Sequence, residues 1–231
     1  MLGKNVGIPI LVALATGSED AVYRILKLEV DQHATDSALH DSYIQYCQDP
    51  NKRAQYGRDL KYRKDKTILS YAIEYGDITF LHFLLETGKF NLDSKVKDGG
   101  TLLCLAAKQG HDAIARMLLE KGIHPHSSDN KRRTPLHHAA ENGNEAIVTL
   151  LLSSEKVDPG TRTNNGQTPL HCAAQNGHEA IVELLLLSEK VDPDAQDHLT
   201  WTPLYHAAQN GHEAIVKLLL PSDPDARDSE G

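Results

Sequence analysis

Thr134-Pro-Leu-His-His-Ala-Ala-Glu-Asn-Gly143 recurs in this chain as Thr168-Pro-Leu-His-Cys-Ala-Ala-Gln-Asn-Gly177 and as Thr202-Pro-Leu-Tyr-His-Ala-Ala-Gln-Asn-Gly211. Looser copies begin at Thr101 and Thr67, so the starting threonines lie 34, 33, 34 and 34 residues apart. The 19 residues that begin at Thr168 and the 19 that begin at Thr202 differ at three positions. A fixed period of this length is the signature of one supersecondary unit stacked many times.

The unit can be read from its residues. Thr134 suits a helix N-cap, and Pro135 suits the first helical position, where no amide donor is needed. Leu136, Ala139 and Ala140 give one apolar face, and the small alanine pair lets a second helix approach closely. Asn142-Gly143 stops the helix, because glycine takes the left-handed conformation that closes a C-terminus. Glu145 then opens a second helix with a carboxylate at the positive end of its dipole, and Ile147, Val148, Leu151 and Leu152 form its apolar stripe. Residues rich in Asp, Pro, Asn and Gly lead to the next threonine as an extended turn. The spacing predicts an all-α array of helix-turn-helix units joined by hairpin-like loops.

Working outward, Ile8-Pro-Ile-Leu-Val-Ala-Leu-Ala-Thr-Gly17 places Pro and Gly at the same offsets, and Glu19, Val22 and Ile25-Leu26 match the second helix. Residues 1–28 therefore read as a degenerate capping unit rather than as the secretory leader that Lys4 and the apolar run loosely suggest. Residues 29–66 form an irregular insert whose part from Asp49 to Lys66 is locally basic. Units then span 67–100, 101–133, 134–167 and 168–201, with a last one, 202–231, that lacks a C-terminal cap.

The chain has 231 residues, 40% of them hydrophobic, 24% charged and 5% aromatic, a balance that excludes disorder and a large aromatic-lined pocket. Its longest apolar run falls short of the roughly 18 residues of a membrane span. With 24 basic and 32 acidic residues the net charge is −8, which disfavours binding to nucleic acid or an anionic membrane. Three cysteines, Cys47, Cys104 and Cys172, make no disulfide framework or zinc ribbon and fit a reducing, intracellular compartment, cytoplasmic or nuclear. Neither a nucleophile elbow, a phosphate-binding loop, a dinucleotide fingerprint nor a zinc-protease motif occurs. His124-x-His126, His137-His138 and the His171-Cys172 neighbourhood offer metal-ligating residue types, but no spacing matches a closed four-ligand site. No catalytic residue, metal or cofactor is expected.

The T-P-L-H-x-A-A motif, the following G-H and the I-V-x-L-L-L run resemble the ankyrin repeat family over Thr67 to Gly231. The resemblance implies an ankyrin-repeat solenoid, curved into a superhelix, with a concave groove lined by hairpin tips and first helices. It implies that Thr134, Pro135, His137, Gly143, Thr168, Pro169, His171, Gly177, His178, Thr202, Pro203, Gly211 and His212 are structural. His137 and His171 would hydrogen-bond near the helix start and tie neighbouring loops, with His111, His178 and His212 structural in the same sense. Tyr205 and Cys104 depart from the first histidine slot and Asn144 from the second, which leaves loop tethering there open. The final Asp228-Ser-Glu-Gly231 coincides with the D-x-x-G that precedes another T-P-L-H in that family. This suggests a fragment of a longer array, with a truncated gene product as the alternative.

Partner contacts would then fall where the units vary. The tips are Asn130-Lys131-Arg132-Arg133, Asn164-Asn165-Gly166-Gln167 and His198-Leu199-Thr200-Trp201, and the groove beside them presents Glu141, Asn142, Gln175, Asn176, Gln209 and Asn210. Lys131, Arg132 and Arg133 make a cationic tip, where the family usually has glycine at position 132, suited to carboxylates of an acidic protein segment. Trp201 is the sole tryptophan and an interface anchor if exposed. The expected function is a non-enzymatic protein-protein interaction module, with another protein as partner and no nucleic acid, membrane or small-molecule substrate. The alternatives are a regulatory array of a larger multidomain protein, an enzyme using His/carboxylate pairs and, more weakly, nucleic-acid binding by the basic stretch 52–66.

Overall fold

A computed structural model describes residues 68–86, 92, 95–96 and 98–220. The expected capping unit at 1–28, the insert at 29–66, Thr67 and the segment 221–231 lie outside them. All regular structure among the described residues is α-helical, and the chain divides into two compact units after residue 97.

In the first unit, α1 (Ile68–Glu74) and α2 (Ile78–Glu86) pack against each other and are joined by a short turn. Leu69, Ala72, Ile73, Phe80, Leu81, Leu84 and Leu85 are buried, and Asp77 Oδ1 accepts the Phe80 amide at 3.0 Å just ahead of α2.

The second unit holds eight helices in four pairs: α3 (Leu102–Gln109) and α4 (Asp112–Glu120), α5 (Pro135–Glu141) and α6 (Glu145–Leu152), α7 (Pro169–Asn176) and α8 (Glu179–Leu186), α9 (Pro203–Gln209) and α10 (Glu213–Leu219). The first helices pack in one row, α3 on α5 on α7 on α9, and the second helices pack in another, α4 on α6 on α8 on α10. Each first helix also rests on its own second helix. This is a helical solenoid built from an alternating pair.

The local causes repeat with the sequence. Thr101, Thr134, Thr168 and Thr202 adopt extended backbone, and each hydroxyl accepts the amide three residues on, which satisfies one of the orphan donors at a helix start. Pro135, Pro169 and Pro203 occupy the first helical position and are buried. Each first helix ends at a left-handed glycine, with φ of 77° at Gly143, 79° at Gly177 and 76° at Gly211. A Cβ on Gly143 would sit 2.8 Å from the His178 ring, so this stop also makes room for the next unit. Asp112, Glu145, Glu179 and Glu213 stand in the first turns of the second helices, whose starts have no side-chain cap.

Burial follows the stripes. Ala139, Ala140, Ala173 and Ala174 are fully enclosed between helix rows, and Ile147, Val148 and Leu151 with Ile181, Val182 and Leu185 close the core from the other side. No helix among the described residues is long and apolar enough to cross a membrane.

Candidate functional site

The tips form a continuous edge because each passes a backbone hydrogen bond to the next. Asn130 N donates to Asp98 O at 3.0 Å, Asn164 N to Lys131 O at 2.9 Å and His198 N to Asn165 O at 2.9 Å. The Asn164 side-chain amide adds a bond to Asn130 O at 3.1 Å.

Two kinds of histidine clamp stacked units, and they point in opposite directions. His137 Nδ1 accepts the Thr134 amide at 3.2 Å, which leaves Nε2–H to donate to Gln167 O at 3.2 Å, thirty residues onward. His171 repeats this with Thr168 N at 3.1 Å and Trp201 O at 3.1 Å. Only the neutral ring with its proton on Nε2 fits, because a second proton would face a backbone N–H. Burial, the largest cause, accordingly holds His137 at about 4 against an ordinary 6.5 and lowers His171 as well.

The other kind runs from the turn after each first helix back to the preceding unit. His178 Nε2 donates back to Glu141 O at 3.1 Å, and His212 Nε2 to Gln175 O at 3.1 Å, so each satisfies an open carbonyl at the end of the preceding first helix. Asn144 does the same with Ala107 O at 2.7 Å. The departure from histidine there keeps the clamp, since an amide N–H at similar reach serves as well. His111 Nε2 is buried without a partner among the described residues. Cys104 donates its thiol to Ser127 O at 3.5 Å, short of the residue that precedes the next threonine and so not the forward clamp, whereas Tyr205 is 45% exposed.

A further element underlies two of the tips. Asp129 Oδ1 accepts the amides of Lys131 and Arg133 at 2.9 and 2.8 Å, while its Oδ2 lies 3.3 Å from His138 Nε2. Asp197 Oδ1 likewise accepts Leu199 N and Trp201 N at 2.8 and 3.0 Å, and Oδ2 meets His206 Nε2 at 3.0 Å. Burial alone would raise both carboxyls, but these hydrogen bonds and, at Asp129, the Arg133 guanidinium hold them below the ordinary 3.8. In the intervening unit Thr163 Oγ1 takes the amides of Asn165 and Gln167, and Cys172 stands where the histidine would be. The sequence carries this signal: Asp and His nine residues apart change together to Thr and Cys.

These contacts sort the expected partner residues. Arg133 Nε donates to Asp129 Oδ2 at 2.9 Å and its Nη1 to Glu141 Oε2 at 3.3 Å, so the Arg133 guanidinium is shared between two carboxylates of the tip. The free cationic pair is Lys131 and Arg132, both exposed and without an ion pair among the described residues. Asn142, Asn176 and Asn210 turn their amides back onto the carbonyls of His138, Cys172 and His206 at 2.8 Å, as helix-end caps. Gln175 and Gln209 are exposed, and Gln167 reaches Gln175 at 3.5 Å. Asn130, Asn164, Asn165 and His198 are exposed on the tips. Trp201 is half-buried, its ring 4.6 Å from Tyr205 and 5.6 Å from His206, so it supports Tyr205 rather than standing free. Leu199, beside it, is 63% exposed.

Among the described residues no group of three or more His, Cys, Asp or Glu side chains could hold a metal ion. Burial, with the Glu141 charge, pushes the Cys172 thiol up to about 12, which leaves it without nucleophilic thiolate near neutrality. A family model described as ankyrin repeats (3 copies) matches residues 3–129, 69–162 and 124–197, and a second, ankyrin repeats (many copies), matches 184–220. No curated protein matches the chain.

Proposed function

We propose, on the premise that this chain belongs to the ankyrin repeat family, that it is a non-enzymatic module that binds another protein with its tips and the exposed ends of its first helices. Ankyrin repeats are generally protein-protein interaction modules. One observation carries the reading: framework side chains are buried and clamped between units, whereas the exposed tip residues Lys131, Arg132, Asn164, Asn165, His198 and Leu199 differ from unit to unit. A rigid edge bearing non-repeating side chains binds with little ordering cost. An acidic segment of an intracellular protein, cytoplasmic or nuclear, is the partner that suits Lys131 and Arg132.

The test is affinity capture from native extract, with the wild-type chain against a Lys131→Ala/Arg132→Ala/Leu199→Ala variant. Arg133 and Trp201 are left in place because the fold uses them. A protein held by wild type and lost by the folded variant supports the module and its face. Identical captures by both would make the tips scaffold.

A further inference from the structure

The residue two before each capping threonine is left-handed in all four tips, with φ of 75° at Gly99, 59° at Arg132, 80° at Gly166 and 64° at Thr200. Arg132 and Thr200 are the two non-glycine residues with positive φ among the described residues. A side chain is disfavoured in this region and glycine is not, as the alternate tips illustrate. Two tips, one unit apart from adjacency, thus retain a costly side chain where the chain elsewhere uses glycine.

Their surroundings differ in chemistry. The Arg132 tip exposes two cations, with Arg133 and Asp129 locked beneath them. The Thr200 tip exposes Leu199 next to the Trp201–Tyr205 stack, an apolar and aromatic patch. Between them the Gly166 tip offers Asn164 and Asn165, small and uncharged.

We infer that these two tips form one bipartite site for an extended acidic peptide segment of a partner protein: carboxylates at Lys131 and Arg132, and an apolar side chain on Leu199 and Tyr205. The inference rests on the protein-binding reading above and specifies its ligand. Stacked helices lie about 10 Å apart, so tips two units apart are separated by about 20 Å. An extended chain advances about 3.3 Å per residue and covers that span in about six residues. Charge complementarity favours an acidic ligand, because Lys131 and Arg132 are exposed without an ion pair among the described residues, while the acids of that tip, Asp129 and Glu141, are already engaged by Arg133. Asp98 on the first tip repels such a segment and directs it from Arg132 toward Thr200. Nucleic acid fits less well, since two exposed cations neutralise few phosphates and the apolar half offers them no donor.

The experiment is selection of random 12-residue peptides displayed on phage against the immobilised 231-residue chain. It is followed by fluorescence polarisation of the enriched peptides with wild type, Arg132→Gly and Leu199→Ala. Enriched sequences should pair Asp or Glu with Leu, Phe or Trp about six residues away. Arg132→Gly and Leu199→Ala should each weaken binding about tenfold. Arg132→Gly should at the same time raise the urea midpoint, a split that separates binding from folding. Enrichment of other patterns, or affinities that ignore both substitutions, overturns the bipartite site and leaves the module reading standing. No enrichment also overturns it, and the capture comparison then decides the module reading independently.

Discussion

At the residue scale the histidines set the terms. His137 spends both ring nitrogens on backbone, and its removal leaves the buried Thr134 amide and the part-buried Gln167 carbonyl without this partner. His137→Ala should therefore cost about 1–3 kcal/mol per orphaned group in urea unfolding, with secondary structure otherwise kept. Cys172 makes a second expectation: raised to about 12 and buried, it should resist iodoacetamide in the folded chain and react once urea exposes it. Rapid labelling at Cys172 in the folded protein, read by peptide mapping, would contradict the packing of α7. Arg132 shows how far a sequence can be read at this scale. Its charge and the missing glycine were legible, but its separation from Arg133 was not, because Asp129 and Glu141 claim that guanidinium only once the tip has folded.

At the scale of the element, each helix is delimited by its neighbours' side chains as much as by its own. The Thr, Pro and Gly punctuation made the helices legible, since these residues act on the backbone within a few positions of themselves. The backward clamps were not legible, because they join residues 37 positions apart and depend on the stacking distance. Asn144 is the useful case. Asn144→Ala should destabilise the chain by about 1–3 kcal/mol, as the Ala107 carbonyl loses its donor. Asn144→His should restore most of that loss in the same urea titration, because His178 and His212 perform this task in the following units. If both substitutions cost the same, the clamp is geometric coincidence.

At the scale of the molecule the buried histidines and tip aspartates combine into one pH dependence. His137, neutral in the fold down to about 4, protonates near 6.5 when unfolded, so the unfolded chain takes up protons first as pH falls. Stability is then full above about 6.5 and declines toward 4, by up to ~3 kcal/mol from this residue alone. His138 and His171, lowered by burial, act in the same direction. Asp129 and Asp197, held below 3.8, add stability present above that value and lost as pH drops through their folded values. Thermal melts from pH 7.5 to 4 should show a monotonic fall in Tm, and a maximum near pH 5 would contradict it. Substituting the Asp129–His138 pair with Thr and Cys, as the Thr163 unit has it, should flatten part of that slope.

The tip-to-tip edge has a mechanical consequence. Units in the stretch 98–220 are joined along it by single backbone bonds, Asn130 to Asp98, Asn164 to Lys131 and His198 to Asn165, lying one after another rather than side by side. Tension drawn along the stack loads those bonds in series, together with the clamps and helix packing at each junction, so the array parts junction by junction instead of resisting as a sheared sheet would. Each peeled unit exposes little beyond its own face and can rejoin the neighbour it left. Such an array behaves as a compliant tether whose give comes in steps of one repeat.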